Sequence, residues 1–168
     1  MRVSSTARRF RPTARNSLAE ARLKPHPAFA DREIPEIQEL GAFVLKALRV
    51  EDVDRDYAAV MESAAEIKAA FPQFTWPEGL TREDNLVDLG WHQREFTARR
   101  SFAWIIEDHG GQYLGCAYVY PSIEGDQSAD VWWWWKTGIE VDRPAFRELF
   151  EAWLAGPSWP ALAYRTMV

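Results

Sequence analysis

Four consecutive tryptophans, Trp132, Trp133, Trp134 and Trp135, constrain this chain more than any other feature. They sit in residues 130–137, Asp-Val-Trp-Trp-Trp-Trp-Lys-Thr, a stretch whose aromatic and β-branched content reads as a β-strand. Successive strand side chains point to opposite faces, so Trp132 and Trp134 project one way while Trp133 and Trp135 project the other. Two indoles on each face require a cover of helices, of a second layer or of ligand, which excludes an exposed edge hairpin. A layered α/β domain with this strand inside its sheet follows.

The rest of the chain can supply that cover. Its 168 residues are 47% hydrophobic and 14% aromatic, enough for one sizeable core. Cys116 is the single cysteine and cannot form an intramolecular disulfide, and no run of eighteen or more apolar residues is present to cross a membrane. A cytoplasmic setting with no membrane partner is expected.

Charge divides the chain in two. Residues 1–24 carry seven basic side chains (Arg2, Arg8, Arg9, Arg11, Arg15, Arg22 and Lys24) against Glu20, so the remainder is strongly acidic within a formal total of -5. An acidic body argues against a nucleic-acid partner, because such sites need a basic face. Arg8 and Arg9 suggest a twin-arginine export signal, but the polar residues that follow lack the apolar segment export requires. An organelle transit leader or a misplaced start remains open from the sequence. Pro25, Pro27 and Pro35 disfavour regular structure, so residues 1–40 read as a disordered basic tail with a proline-containing linker or wrapping arm, and residues 41–168 as the domain.

Within the domain, residues 43–50 read as a first strand. A helix capped by Asp54 runs to Pro72, with Tyr57, Val60, Met61, Ala64, Ile67, Lys68 and Phe71 at three- and four-residue spacing. Thr81 and Asp84 form a capping-box pattern opening a second helix, with Leu86, Leu89, Gln93 and Phe96 as its expected buried stripe. Residues 101–107 and 113–120 are two strands joined by Asp108-His109-Gly110-Gly111-Gln112, and the tryptophan strand follows. Asp142 caps a third helix with Pro144 in its first turn and Phe146, Leu149, Phe150, Trp153 and Leu154 on its apolar face. Gly156-Pro157 ends it, and residues 161–168 form a last strand.

This order, β-α-α-β-β-β-α-β, resembles the GNAT N-acetyltransferase superfamily. Leu48-Arg49-Val50-Glu51-Asp52 with Tyr57 and Val60 is similar to that family's first strand and helix, and Leu114-Gly115-Cys116-Ala117-Tyr118-Val119 to its third strand. The resemblance covers residues 43–168 and implies an α+β mixed sheet, the acyl-CoA N-acyltransferase fold, with acetyl-CoA as cofactor and an amine of unknown identity, small molecule or peptide, as acceptor. The family's glycine-rich phosphate turn would fall at residues 140–146, Glu-Val-Asp-Arg-Pro-Ala-Phe, which has no glycine. Pro144 removes an amide there and Asp142 would cap the amides that remain. The resemblance therefore implies a shortened member with a degenerate pyrophosphate loop. The chain stops at the strand matching the family's fifth, so a homodimer that completes the sheet is expected.

The candidate site residues follow from these placements. Arg143 and Lys136 supply charge for a pyrophosphate, with Trp134 and Trp135 beside them as cofactor contacts. Tyr118, Trp132 and Trp133 are expected to line the acceptor pocket, which Tyr120, alternating with Tyr118 on one face of its strand, would share. Among acids near the central strands, Glu107, Glu124 and Glu140, the last is preferred as a general base because it follows the tryptophan strand, and Tyr120 is the second proton-transfer candidate. His26, His92 and His109 have no ligand spacing, so no metal is expected. Cys116, between small residues in an apolar strand, is expected to be inert core. The rival reading is a non-catalytic ligand-binding or dimerisation module that keeps the fold.

Overall fold

The tryptophan strand lies within a six-stranded sheet in the computed structural model, which describes residues 24–167. The order is sequential: β1 (Ile37–Leu40), β2 (Phe43–Ala47), β3 (Phe102–Asp108), β4 (Tyr113–Pro121), β5 (Ser128–Trp135) and β6 (Ala163–Thr166). Neighbours from β1 to β5 are antiparallel, whereas β5 and β6 are parallel and are joined by the crossover helix α4 (Arg143–Leu154). Between β2 and β3 run α1 (Val53–Glu62), α2 (Ala64–Ala70) and α3 (Arg82–Thr97).

The alternation of the four tryptophans decides which helices lie where. Trp133 and Trp135 join one buried cluster with Leu45, Trp104, Ala117 and Val131, closed by Phe146, Phe150 and Leu154 of α4. Trp134 joins the opposite cluster with Ile105, Cys116 and Tyr118, covered by Ala59, Val60, Ile67 and Leu89 from the three other helices; Trp132 packs against it. Phe146 meets Trp135 edge to face at a centroid separation of 4.9 Å, a geometry worth roughly 0.5–1.5 kcal/mol beyond area burial.

Several expected boundaries move, each for a physical reason. The sheet begins at Ile37, ahead of the expected boundary at residue 41, and of the two readings of the proline-containing stretch, linker or wrapping arm, it is packed as an arm. A 3-10 turn at Pro27–Phe29 and the strand β1 are held by Phe29, Ile34 and Leu40, all buried in the cluster under α4. The prolines restrict this segment while its apolar side chains anchor it. The expected tail over residues 1–23 lies outside the described residues.

The single helix expected before Pro72 is two, and it begins at Val53 with Asp52, not Asp54, as its N-cap residue. Ser63 stands at the break: its hydroxyl donates to the Ala59 carbonyl at 2.7 Å and accepts the Thr137 amide at 3.0 Å. A hydroxyl bonding one turn back bends a helix, and here the bend ties α1 to the loop after β5. On α3 the Thr81 capping box forms as expected, but the buried face is Asn85, Leu89, His92, Glu95 and Phe96, and Leu86 is exposed.

Candidate active site

The geometry of interest begins where β5 and β6 part. Their parallel pairing runs from Ser128 opposite Ala163 to Val131 opposite Thr166, and the Met167 amide donates to the Val131 carbonyl at 2.9 Å. Beyond it β5 continues through the four tryptophans, and among the described residues no strand pairs with that edge. Lys136 donates to the Leu114 carbonyl on the β4 side, so by the ladder's alternation Trp133 and Trp135 turn their backbone groups to the open edge.

Two cavities meet this edge, with Met167 bordering both. The first, about 720 Å3, lies beyond the end of β5 between α2 and the start of α4. Trp133, Trp134, Trp135, Lys136 and Arg143 line it together with Thr137, Gly138, Arg147 and Glu66. The expected cofactor residues are thus brought into one cavity, and Trp133, expected on the acceptor side, is on this side. Thr137, Gly138 and Arg147 were missed by the sequence reading, which looked for glycine only after residue 139. Gly138 has a φ of +78°, a backbone region that favours glycine, and it turns the chain out of β5.

Electrostatically the cavity is basic by side chains. Lys136 Nζ pairs with Glu62 at 2.7 Å, and the Arg147 guanidinium lies 5.5 Å from the Trp133 ring centroid. The start of α4, in contrast, has its amides occupied. Arg143 donates to the Val141 carbonyl at 2.9 Å, Pro144 has no N–H, Ala145 donates to Asp142 Oδ1 at 3.0 Å, and Phe146 to the Asp142 carbonyl at 3.0 Å. A helix N-terminus binds phosphate through free amides, and this one offers none in its first turn.

The second cavity, about 590 Å3, opens on the other side of the edge, over the face that carries Trp132. Phe74, Trp76, Trp91, His92, Tyr118, Tyr120 and Trp132 supply its rings, and Asp88 and Asp130 its carboxylates. Tyr118, Tyr120 and Trp132 are brought together as expected: Tyr118 stacks on Trp132 at 4.0 Å and 13°. His92 stacks against Tyr120 at 6.3 Å, and its Nε2 lies 3.5 Å from Asp88 Oδ2. Burial pushes the Tyr118 and Tyr120 phenols well above the usual tyrosine range, so both stay protonated at neutral pH. His92, Trp91 and Asp88 were missed because the expected α3 stripe took in Leu86 and Gln93 beside the buried Leu89 and Phe96; their three- and four-residue spacing was the signal.

Glu140 is exposed and lines neither cavity. Glu107 is fully buried and ion-paired with both Lys46 and Arg55, and Glu124 is exposed in the β4–β5 loop. Between α1, α3 and β4, Asp56 accepts from Tyr113 Oη at 2.6 Å and from Asn85 Nδ2 at 2.9 Å, and Cys116 is buried beside them. Burial raises the Asp56 carboxyl above its ordinary range and the Cys116 thiol well above its own. Among the described residues no group of three or more His, Cys, Asp or Glu side chains is placed to hold a metal ion, and no helix is long and apolar enough to cross a membrane.

No protein-family model matches the chain, and no curated protein matches it. Solved structures do. A coenzyme A complex of RimL, the ribosomal L7/L12 alpha-N-protein acetyltransferase, superposes with a TM-score of 0.60 at 14% identity over 71% of this chain. The microcin C7 self-immunity acetyltransferase MccE, solved with acetyl-CoA and AMP, gives 0.63 at 9% identity over 79% of this chain and 72% of its own. The Salmonella typhimurium acetyltransferase that modifies the N-terminal serine of L7/L12 gives 0.57 at 10% identity, covering 71% of this chain and 68% of its own. The chain spans 65% of the length of apo RimL and 66% of that of the coenzyme A complex. These likenesses show the fold: the chain has the GNAT acetyltransferase fold.

Proposed function

We propose that the protein is an acyl-CoA-dependent N-acyltransferase with weak cofactor affinity and low activity, taking acetyl-CoA at the basic cavity and an amine at the aromatic one. The observation that carries this reading is the unpaired β5 edge at Trp133 and Trp135, which leads from one cavity to the other. Bare strand amides and carbonyls beside a cavity can bind an extended ligand by adding to the sheet.

The residues present fit such a cofactor in charge and not in backbone donors. Arg143, Arg147 and Lys136 would hold the anionic phosphates, with Trp134 and Trp135 against the apolar arm, while the closed first turn of α4 withholds the amide cradle. Bound acetyl-CoA supplies the acyl group. On the acceptor side, His92 is the base candidate inside the cavity, held beside Asp88, and Tyr120 places a hydroxyl on the same wall that burial makes a weaker acid than a free phenol. Glu140 would act only from outside the cavity wall, so His92 displaces it in this proposal.

The amide closure also favours a second reading, a ligand-binding module that keeps the fold without turnover. Release of free coenzyme A thiol from acetyl-CoA, measured with a panel of primary amines, separates the two. Turnover that falls in Arg143→Ala through a raised KM supports the enzyme. Cofactor binding with no thiol release for any amine supports the module.

A homodimer and a cytoplasmic location belong to this proposal as well. Among the described residues β6 is last in the sheet order, and its outer edge is where a second copy would pair.

A further inference from the structure

We infer that the 590 Å3 aromatic cavity recognises an organic cation, an alkylammonium group carried on an aromatic or bulky apolar body. The inference rests on the acyltransferase reading only in that it narrows the acceptor which that reading assigns to the cavity.

Three observations on the lining point the same way. Six aromatic residues, Phe74, Trp76, Trp91, Tyr118, Tyr120 and Trp132, surround the space, and the negative faces of such rings attract a cation. Among the described residues the lining carries carboxylates from Asp88 and Asp130 and no Lys or Arg. Asp130 already receives Arg165 Nε at 2.9 Å, which leaves Asp88, at the mouth beside His92, as the carboxylate for an incoming ammonium. Trp91 and Phe74 remain 41% and 38% exposed on this lining, so their rings are open to a ligand.

The contrast with the neighbouring cavity sharpens the choice. Lys136, Arg143 and Arg147 make that side attractive to anions, whereas a carboxylate or phosphate entering the aromatic side would meet ring faces and the Asp88 carboxylate. A nucleotide or an acidic peptide is therefore the wrong partner here. The volume exceeds what a bare ammonium fills, so the cation carries a body that packs against the exposed Trp91 ring.

The test uses the full chain without any acyl-CoA. Calorimetric titration at neutral pH and fixed ionic strength compares 2-phenylethylammonium with 2-phenylethanol, its neutral counterpart of similar shape. The ammonium is expected to bind at least roughly ten-fold tighter. Asp88→Asn and Trp91→Leu, both at partly exposed positions on α3, are each expected to weaken it about five-fold, and Asp88→Asn to leave the alcohol unaffected. Equal affinities, preference for phenylacetate, an unchanged Asp88→Asn titration, or no binding of either probe would each overturn the inference. Because acyl-CoA is absent, cation binding without acetyl transfer would sink the acyltransferase reading alone. Transfer to amines with no cationic preference in the titration would sink this inference alone.

Discussion

Gly115→Ala is the substitution with the largest effect that the packing of the tryptophan strand dictates. Pairing of β3 with β4 shifts register between Ile106, opposite Gly115, and Glu107, opposite Tyr113, so Leu114 is the extra residue of a β-bulge. The bend presses the Gly115 backbone onto β5, and a Cβ there would lie 2.0 Å from the Trp134 carbonyl oxygen and 3.2 Å from the Trp135 Cα. These atoms are backbone in a central strand, so no rotamer change relieves the clash and the strands must separate by more than 1 Å. Overpacking of this kind costs about 1–3 kcal/mol, and weakening one or two ladder hydrogen bonds adds about 1 kcal/mol each. A total of about 2–5 kcal/mol lowers Tm by roughly 4–20 °C for a chain of this size. Differential scanning calorimetry measures it directly, and near-ultraviolet circular dichroism should change with it because Trp134 moves. A Tm within about 2 °C of the unsubstituted protein would refute the claim that this close approach holds the strand in place.

Three further outcomes are expected. Asp56→Asn should become progressively more favourable relative to the parent as pH rises above about 4: burial raises the folded-state pKa, so the parent's contribution is full below the unfolded value of 3.8 and is lost as pH rises through the folded one. Urea unfolding of both proteins across pH 4 to 8 checks this, and parallel curves would count against a buried acid of raised pKa. Sedimentation at micromolar concentration should give a dimer through the β6 edge, and a concentration-independent monomer mass would reject it. Ser63→Ala removes both the Ala59 and the Thr137 hydrogen bonds, so it should cost roughly 1–3 kcal/mol and weaken any ligand of the basic cavity, which Thr137 lines.

What was legible in the sequence is what local period and capping chemistry decide. The facing of the four tryptophans depends only on the two-residue period of a strand, and the closure of α4 only on Asp142 lying three residues before Ala145. What was not legible depends on distant partners. β1 is four residues long, half of them polar, and its hold comes from pairing with β2 and from Phe29 reaching the core. The break at Ser63 needs an amide donated by Thr137, from a loop far along the chain. On α3 the expected Leu89 and Phe96 are buried, but Leu86 looks apolar and is exposed, while His92 and Asn85 look polar and are buried. Asn85 is buried because Asp56 accepts its amide, and His92 because it lies against Tyr118 and Tyr120. That mismatch between polarity and burial hid the acceptor-side cavity wall.

The central claim is that the open β5 edge and its basic cavity bind acyl-CoA through side-chain charge without a backbone phosphate cradle. Calorimetric titration with acetyl-CoA tests it most directly. The expected result is a dissociation constant above the micromolar range, corresponding to less than about 8 kcal/mol of binding, that increases as salt rises and increases a further five- to ten-fold in Arg143→Ala. Sub-micromolar binding untouched by Arg143→Ala, or no binding at millimolar acetyl-CoA, would contradict it.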